Sequence, residues 1–175
     1  MRRLLLLRHA KSSWDQDGLD DAERPLAPRG RKAAPLMGRY ISGRRLVPDL
    51  VLCSTAERAR QTLELVIAEW ERSAGESVRV EMRTSLYLAH PGELLAALKR
   101  IDDGVERLMI IGHNPGLAIL AERLAAKGDP RGMKALSKKF PTAALAVIDL
   151  DVERWADAAP GTGYLQSMVR PKDLR

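Results

Sequence analysis

The feature that most constrains the fold is the run Leu4-Leu5-Leu6-Leu7, which stops on Arg8 and His9. Four consecutive leucines leave no polar face, so the run fits a strand covered on both sides, as in a parallel sheet flanked by helices. Ligands of open parallel sheets bind outside the carboxyl ends of the strands, and Arg8 and His9 stand at such an end. A guanidinium presents a planar fork to phosphate oxygens. An imidazole is a nucleophile that works near neutral pH. The pair points to phosphoryl chemistry.

The rest of the chain repeats the theme. Apolar runs at Leu50–Cys53, Arg107–Ile111 and Ala143–Leu150 read as strands, and Val78–Met82 alternates as a strand nearer an edge does. Tyr164–Val169 reads as a last strand. Between them lie helical patterns: Pro28–Tyr40, with Pro35 as an internal cost; Ala56–Arg72, stopped by Gly75; Pro91–Ile101; and Pro115–Lys127. Lys127–Lys139, rich in Gly, Lys and Pro, reads as a loop, as does the acidic stretch Ser12–Arg24. Alternating strands and helices predict a three-layer α/β/α sandwich around a mainly parallel central sheet, formed by one domain over residues 1–175.

Composition narrows the partners. The net charge of +6 favours anionic ligands, but the basic residues are interspersed with 23 acidic ones. One Phe, three Trp and three Tyr offer no stacking platform for bases, so nucleic acid is not expected. The single cysteine, Cys53, excludes an internal disulfide and a zinc-thiolate cluster. Arg2 and Arg3 before the leucines imitate a secretory leader. The apolar stretch, however, is shorter than the ~7–15 residues a leader needs, and no segment approaches the ~18 of a membrane span. A cytoplasmic protein without a membrane partner is the expectation.

Three strand ends carry groups suited to a phosphoryl group: Arg8-His9, the stretch Ser54–Thr62, and Gly112-His113-Asn114. At the second, Cys53 ahead of arginines raises the possibility of a thiolate phosphatase, but Ala59 stands where such an enzyme needs its arginine. Cys53 therefore reads as a small buried hydrophobe. Arg58 and Arg60, two apart on a helix, point different ways. Arg58, in the first turn, is assigned to the anion, and Arg60 to an ion pair with Glu57 or Glu64.

These motifs together resemble the histidine phosphatase superfamily, also called phosphoglycerate-mutase-like. Arg8-His9-Ala10 is similar to its first signature. Ser54-Thr55-Ala56-Glu57-Arg58-Ala59-Arg60-Gln61-Thr62 is similar to its second, with Thr55 replacing a proline, and Gly112-His113-Asn114 is similar to its third. Arg8–Trp14 and Arg24–Gly30 look most like the SixA branch of phosphohistidine phosphatases. The resemblance implies a phosphoglycerate-mutase-like fold and a phosphatase with His9 as the transiently phosphorylated nucleophile. Arg8, Arg58 and His113 would hold the phosphoryl oxygens, His113 best in its protonated form, and no metal or other cofactor is required. Its partner would be a phosphorylated substrate, on this branch a phosphohistidine-bearing protein domain. Other readings are a small-metabolite phosphomonoesterase or mutase and a non-catalytic phospho-binding module.

One part of the pattern is missing. Larger members place a carboxylic acid after the third strand, and here Thr84–His90 contains none. Glu93 and the loop acids Asp20, Asp21 and Glu23 are the alternatives, unless no acid is used. His90 with Glu93 makes a weak metal-like pair that reads better as a polar helix start. Lys11 and Trp14 are candidates for the pocket entrance.

Overall fold

A computed structural model describes residues 1–74 and 77–175 of the chain. Seven strands form one sheet in the order β3-β2-β4-β1-β6-β7-β5: β1 Arg2–Arg8, β2 Leu50–Ser54, β3 Arg79–Arg83, β4 Arg107–Gly112, β5 Ala125–Gly128, β6 Leu145–Leu150 and β7 Gly163–Val169. Among the described strands only β6 runs against the others. β1 lies between β4 and β6 in the middle of the sheet, which is why it tolerates four leucines in a row. The α-helices among the described residues are α1 Pro28–Gly43, α2 Glu57–Ala74, α3 Pro91–Lys99, α4 Gly116–Leu124 and α5 Pro130–Lys138.

The sheet separates two cores, and the pleat sorts the leucines between them. Leu5 and Leu7 pack with Met37, Ile41, Val66 and Trp70 of α1 and α2. Leu4 and Leu6 pack with Leu98, Leu117, Leu120 and Leu136 of α3, α4 and α5. This is the predicted α/β/α sandwich. β3 closes one edge with the alternating Arg79-Val80-Glu81-Met82-Arg83, as an exposed edge requires.

The strand expected from Ala143 starts only at Leu145, because Ala143 turns through the left-handed region. The larger departure from the sequence reading is in one region. Lys127–Lys139, expected as a loop, holds the end of β5 and all of α5. The helix expected to reach Lys127 stops at Leu124, and Ala125–Gly128 then pairs with β7. α5 is started by Asp129, whose carboxylate accepts from the Gly132 amide at 2.8 Å, with Pro130 in its first turn. Gly75, read as the stop of α2, lies outside the described residues. Among the described residues no helix is long and apolar enough to cross a membrane.

Two glycines hold the strand-end loops close to the helices. A Cβ at Gly30 would sit 2.2 Å from the Lys11 carbonyl oxygen, so only glycine lets α1 lie against the segment leaving β1. At Gly116 a Cβ would sit 2.0 Å from the Ala89 carbonyl oxygen, which brings the start of α4 against the residue preceding His90.

Candidate active site

The site gathers at the carboxyl ends of β1, β2 and β4. β1 ends on Arg8 and delivers His9 immediately beyond it. Ala143, in the left-handed region at φ 61°, donates its amide to the carbonyls of Arg8 at 3.1 Å and His9 at 3.0 Å, which fixes the strand end. The Ala10 amide donates to Thr62 Oγ1 at 3.0 Å, and the same hydroxyl donates to the Arg58 carbonyl at 2.7 Å. Thr62 therefore ties the His9 turn to the first turns of α2, where Arg58 sits.

His9 is buried, and its Nδ1 lies 2.7 Å from the Ala10 carbonyl oxygen. A carbonyl only accepts, so Nδ1 carries the proton and Nε2 keeps its lone pair. Burial pushes the His9 pKa down to about 3. His113, Arg58 and Arg8 add to the depression, and the Ala10 hydrogen bond opposes it. The ring is neutral at pH 7. His113, also buried, faces His9 with ring centroids 5.1 Å apart. Its Nε2 is 2.7 Å from the buried Ser54 Oγ. Burial, with Arg58 next, lowers its pKa to about 4, so the free protein does not hold His113 protonated at neutral pH.

The arginines are positioned by backbone oxygens. Arg8 donates to the Phe140 carbonyl at 3.1 Å, and the same carbonyl accepts from Asn114 Nδ2 at 2.8 Å. Arg58, buried, donates to the Asp21 carbonyl at 2.7 Å and to Asp21 Oδ2 at 2.9 Å. Burial and the neighbouring Arg58 lower the pKa of Arg8, as two cations around one space require. Among the described residues, buried side-chain polar atoms without a partner include Arg8 Nε, Arg58 Nε, His113 Nδ1 and Asn114 Oδ1. Orphaned buried polar atoms are costly; apart from Trp70 Nε1 in the core, they occur on residues of the three strand-end motifs. Three of them belong to groups that can donate to an oxyanion.

The alternatives raised by the sequence resolve by position. Arg60 points outward and pairs with Glu57 at 2.5 Å and Glu64 at 2.6 Å. The Cys53 thiol is fully buried, its pKa pushed up to about 12 by burial alone. Glu93 is exposed and accepts from the His90 amide at 3.3 Å, so the pair is a helix start. Asp20 and Glu23 are exposed. Asp21 is the carboxylate at the site, but it is no acid in waiting. Hydrogen bonds from Tyr87 and Arg58 hold its pKa down to about 2, and Arg24 adds an ion pair at 3.1 Å. Trp14 is exposed, with the Arg24 guanidinium 3.5 Å above its ring.

Three residues at the site were not singled out from the sequence. Ser54 and Asn114 lie inside the second and third motifs, whose pattern assigns them no role. Tyr87 lies in the stretch Thr84–His90, which contains no carboxylic acid. Its hydroxyl donates to Asp21 and its ring meets His113 edge-on at 5.5 Å.

Two arginines and two histidines thus converge at the carboxyl ends of one α/β sheet, groups chemically suited to a phosphoryl oxyanion. The model of the histidine phosphatase superfamily (branch 1) matches residues 4–85. An uncharacterised protein of Mycobacterium tuberculosis is 38% identical over 168 residues, covering 95% of this chain and 100% of its own length. The chain belongs to the histidine phosphatase superfamily. Within it, the phosphohistidine phosphatase SixA of Escherichia coli is 27% identical over 173 residues, covering 99% of this chain and 96% of the relative. The structure of a candidate SixA from Nakamurella multipartitia aligns with a TM-score of 0.82 at 30% identity, over 97% of this chain and 96% of that one.

Proposed function

We propose that this chain is a metal-independent phosphatase that works through a phosphoryl group carried on His9, with phosphohistidine on a protein as its substrate. The observation that carries the reading is the His9 ring. Nδ1 is committed to the Ala10 carbonyl, Nε2 is free, and the pKa is about 3, so the nucleophile is unprotonated across the physiological range.

The steps balance without a metal. Nε2 attacks phosphorus in line, an N–P bond forms, and the bond to the leaving group breaks. Water then attacks the phosphoryl-His9 and releases orthophosphate, with Nε2 regaining its lone pair. Arg8, Arg58 and His113 stabilise charge on the three equatorial oxygens. A bound phosphoryl dianion raises the pKa of His113 and turns it into a cationic donor, which supplies the protonated form that the free protein lacks.

The leaving group follows from the acids. Asp21 is ionised and Glu93 is a helix cap. An alkoxide needs a proton from a positioned acid, whereas phosphohistidine leaves as a neutral imidazole once its ring is protonated. The absence of a protonated carboxylic acid among the described residues of the site therefore favours the phosphoramidate. A substrate panel tests this. Phosphohistidine peptide is expected to exceed serine and alkyl phosphomonoesters in kcat/KM, with turnover unchanged by a chelator. Faster cleavage of the monoesters assigns the chain to small metabolites instead.

A further inference from the structure

A concave cavity of about 400 Å3 opens beside the site at the same end of the sheet. Six cations line it: Lys11, Arg29, Lys138, Lys139, Lys172 and Arg175. Among the described residues no side chain of the six forms an ion pair and no Asp or Glu is part of the lining; the α-carboxylate of Arg175, the last described residue, is the one anion a lining residue carries. A seventh cation, Arg170, is already matched by Asp173 at 2.9 Å. The lining comes from four distant parts of the chain: the segment leaving β1, the first turns of α1, the end of α5 with Pro141-Thr142, and the residues after β7. The fold thus assembles this charge from separated segments.

The walls are fixed to the site. Lys11 is two residues beyond His9, and its carbonyl accepts from the Ala27 amide at 2.9 Å, which holds Arg29 of α1 next to it. Pro141 and Thr142 connect Phe140, which anchors Arg8, to Ala143, which anchors the end of β1. The amino end of α1 adds its own positive field. Six like charges around so small a volume repel one another, and a concave wall concentrates their field. A compact polyanion offsets that repulsion. The volume lies in the range of small-ligand sites, ~300–1,000 Å3. Its size and charge match a compact chain of phosphates.

We propose that this cavity is a second anion site that takes an oligophosphate chain, either free or carried by a nucleotide. The assignment does not depend on the covalent chemistry of His9.

The test is calorimetric titration of the full chain with tripolyphosphate and with ATP. Lys138→Ala/Lys139→Ala/Lys172→Ala is compared with Arg44→Ala/Lys99→Ala/Arg100→Ala, whose cations lie where α1 and α3 end, at the opposite end of the sheet. Both triple variants remove three cations, from +6 to +3, so they share one net charge. The cavity variant is expected to weaken tripolyphosphate by about tenfold or more and the distant variant by less than about twofold. Equal affinity for ATP assigns the phosphate chain alone, and tighter ATP assigns a nucleotide; either supports the site. Equal weakening in the two variants, or no binding to the wild type at millimolar concentration, overturns it. So does tighter binding of an oligoglutamate peptide, which assigns the cavity to an acidic protein segment. Hydrolysis of p-nitrophenyl phosphate is expected to stay within about twofold in the cavity variant. A larger fall places those lysines in the catalytic pocket and overturns a separate site.

Discussion

Thr62→Val removes one hydroxyl from the joint between the His9 turn and α2 while keeping the side chain's volume. Thr62 and Ala10 are both fully buried, and Oγ1 is the partner of the Ala10 amide at 3.0 Å. Valine leaves that amide unpaired where water does not reach it. The Arg58 carbonyl lies inside α2 and retains its helical partner. The cost is the desolvation of one buried donor, ~1–3 kcal/mol. Taking about 2 kcal/mol, and ~2–4 °C per kcal/mol for a chain of this size, the melting temperature falls by about 4–8 °C. Thr62→Ser keeps the hydroxyl and loses only a methyl, so it separates the hydrogen bond from packing. Thr55→Val, at an exposed position of the same loop, is the neutral comparison. Thermal and urea unfolding of the three variants measure the difference. Ala10 also holds the His9 ring through its carbonyl, so Thr62→Val is expected to lower kcat more than it changes KM. A Thr62→Val protein within about 0.5 kcal/mol of wild type means that the Thr62 hydroxyl does not hold the Ala10 amide, because surface substitutions already scatter that much.

Further predictions follow from the same contacts. His9 and His113 titrate at about 3 and 4 in the folded chain against an ordinary 6.5. Their folded pKa values are depressed, so the unfolded state takes up protons first and stability is lost as pH falls below 6.5. Between pH 6.5 and 4 the loss approaches ~1.4 kcal/mol per pH unit for each histidine. Urea unfolding at pH 7 and pH 5 measures it, with a shallower slope expected for His9→Ala. Gly30→Ala drives a Cβ onto the Lys11 carbonyl oxygen and is expected to cost about 1–3 kcal/mol or more. Gly43→Ala, where nothing lies within 4 Å, serves as the neutral control in the same melts. The Cys53 thiol, buried with its pKa near 12, is expected to resist a disulfide reagent in the native protein and to react once the chain is unfolded, as thiol titration reports.

The legible parts of this structure are those encoded locally. Leu4–Leu7 states a doubly covered strand because each residue alone is apolar, and the pleat does the rest. The helical faces of α1 and α2 are readable for the same reason, as is the outward turn of Arg60 toward Glu57 and Glu64. The miss at β5 and α5 has a physical origin. Ala125-Ala126-Lys127-Gly128 has no β-branched or aromatic residue, and it is a strand only because β7 offers an edge. α5 did carry a signal, Asp129 followed by Pro130, a cap and a first-turn proline that its Gly and Lys content obscured. At the site, the positions that close on His9 from their own strand ends were visible as motifs. The contact of Tyr87 and Arg58 with Asp21 was not. It joins residues up to 66 apart through a loop whose path depends on Arg24 reaching Ser12 Oγ at 2.8 Å and the Ser13 carbonyl at 3.0 Å. Likewise, the depressed pKa of His113 depends on burial, which a motif does not display.

If His9 carries the phosphoryl group, the phosphorylated protein can be trapped. The full chain is mixed with radiolabelled phosphohistidine peptide for milliseconds and quenched in base, which preserves a phosphoramidate. It is then digested for peptide mapping. Label is expected on the peptide containing His9, at up to about one phosphoryl group per chain, with neither label nor turnover in His9→Ala. Turnover that persists in His9→Ala, or label that maps to another residue, contradicts phosphoryl transfer through His9.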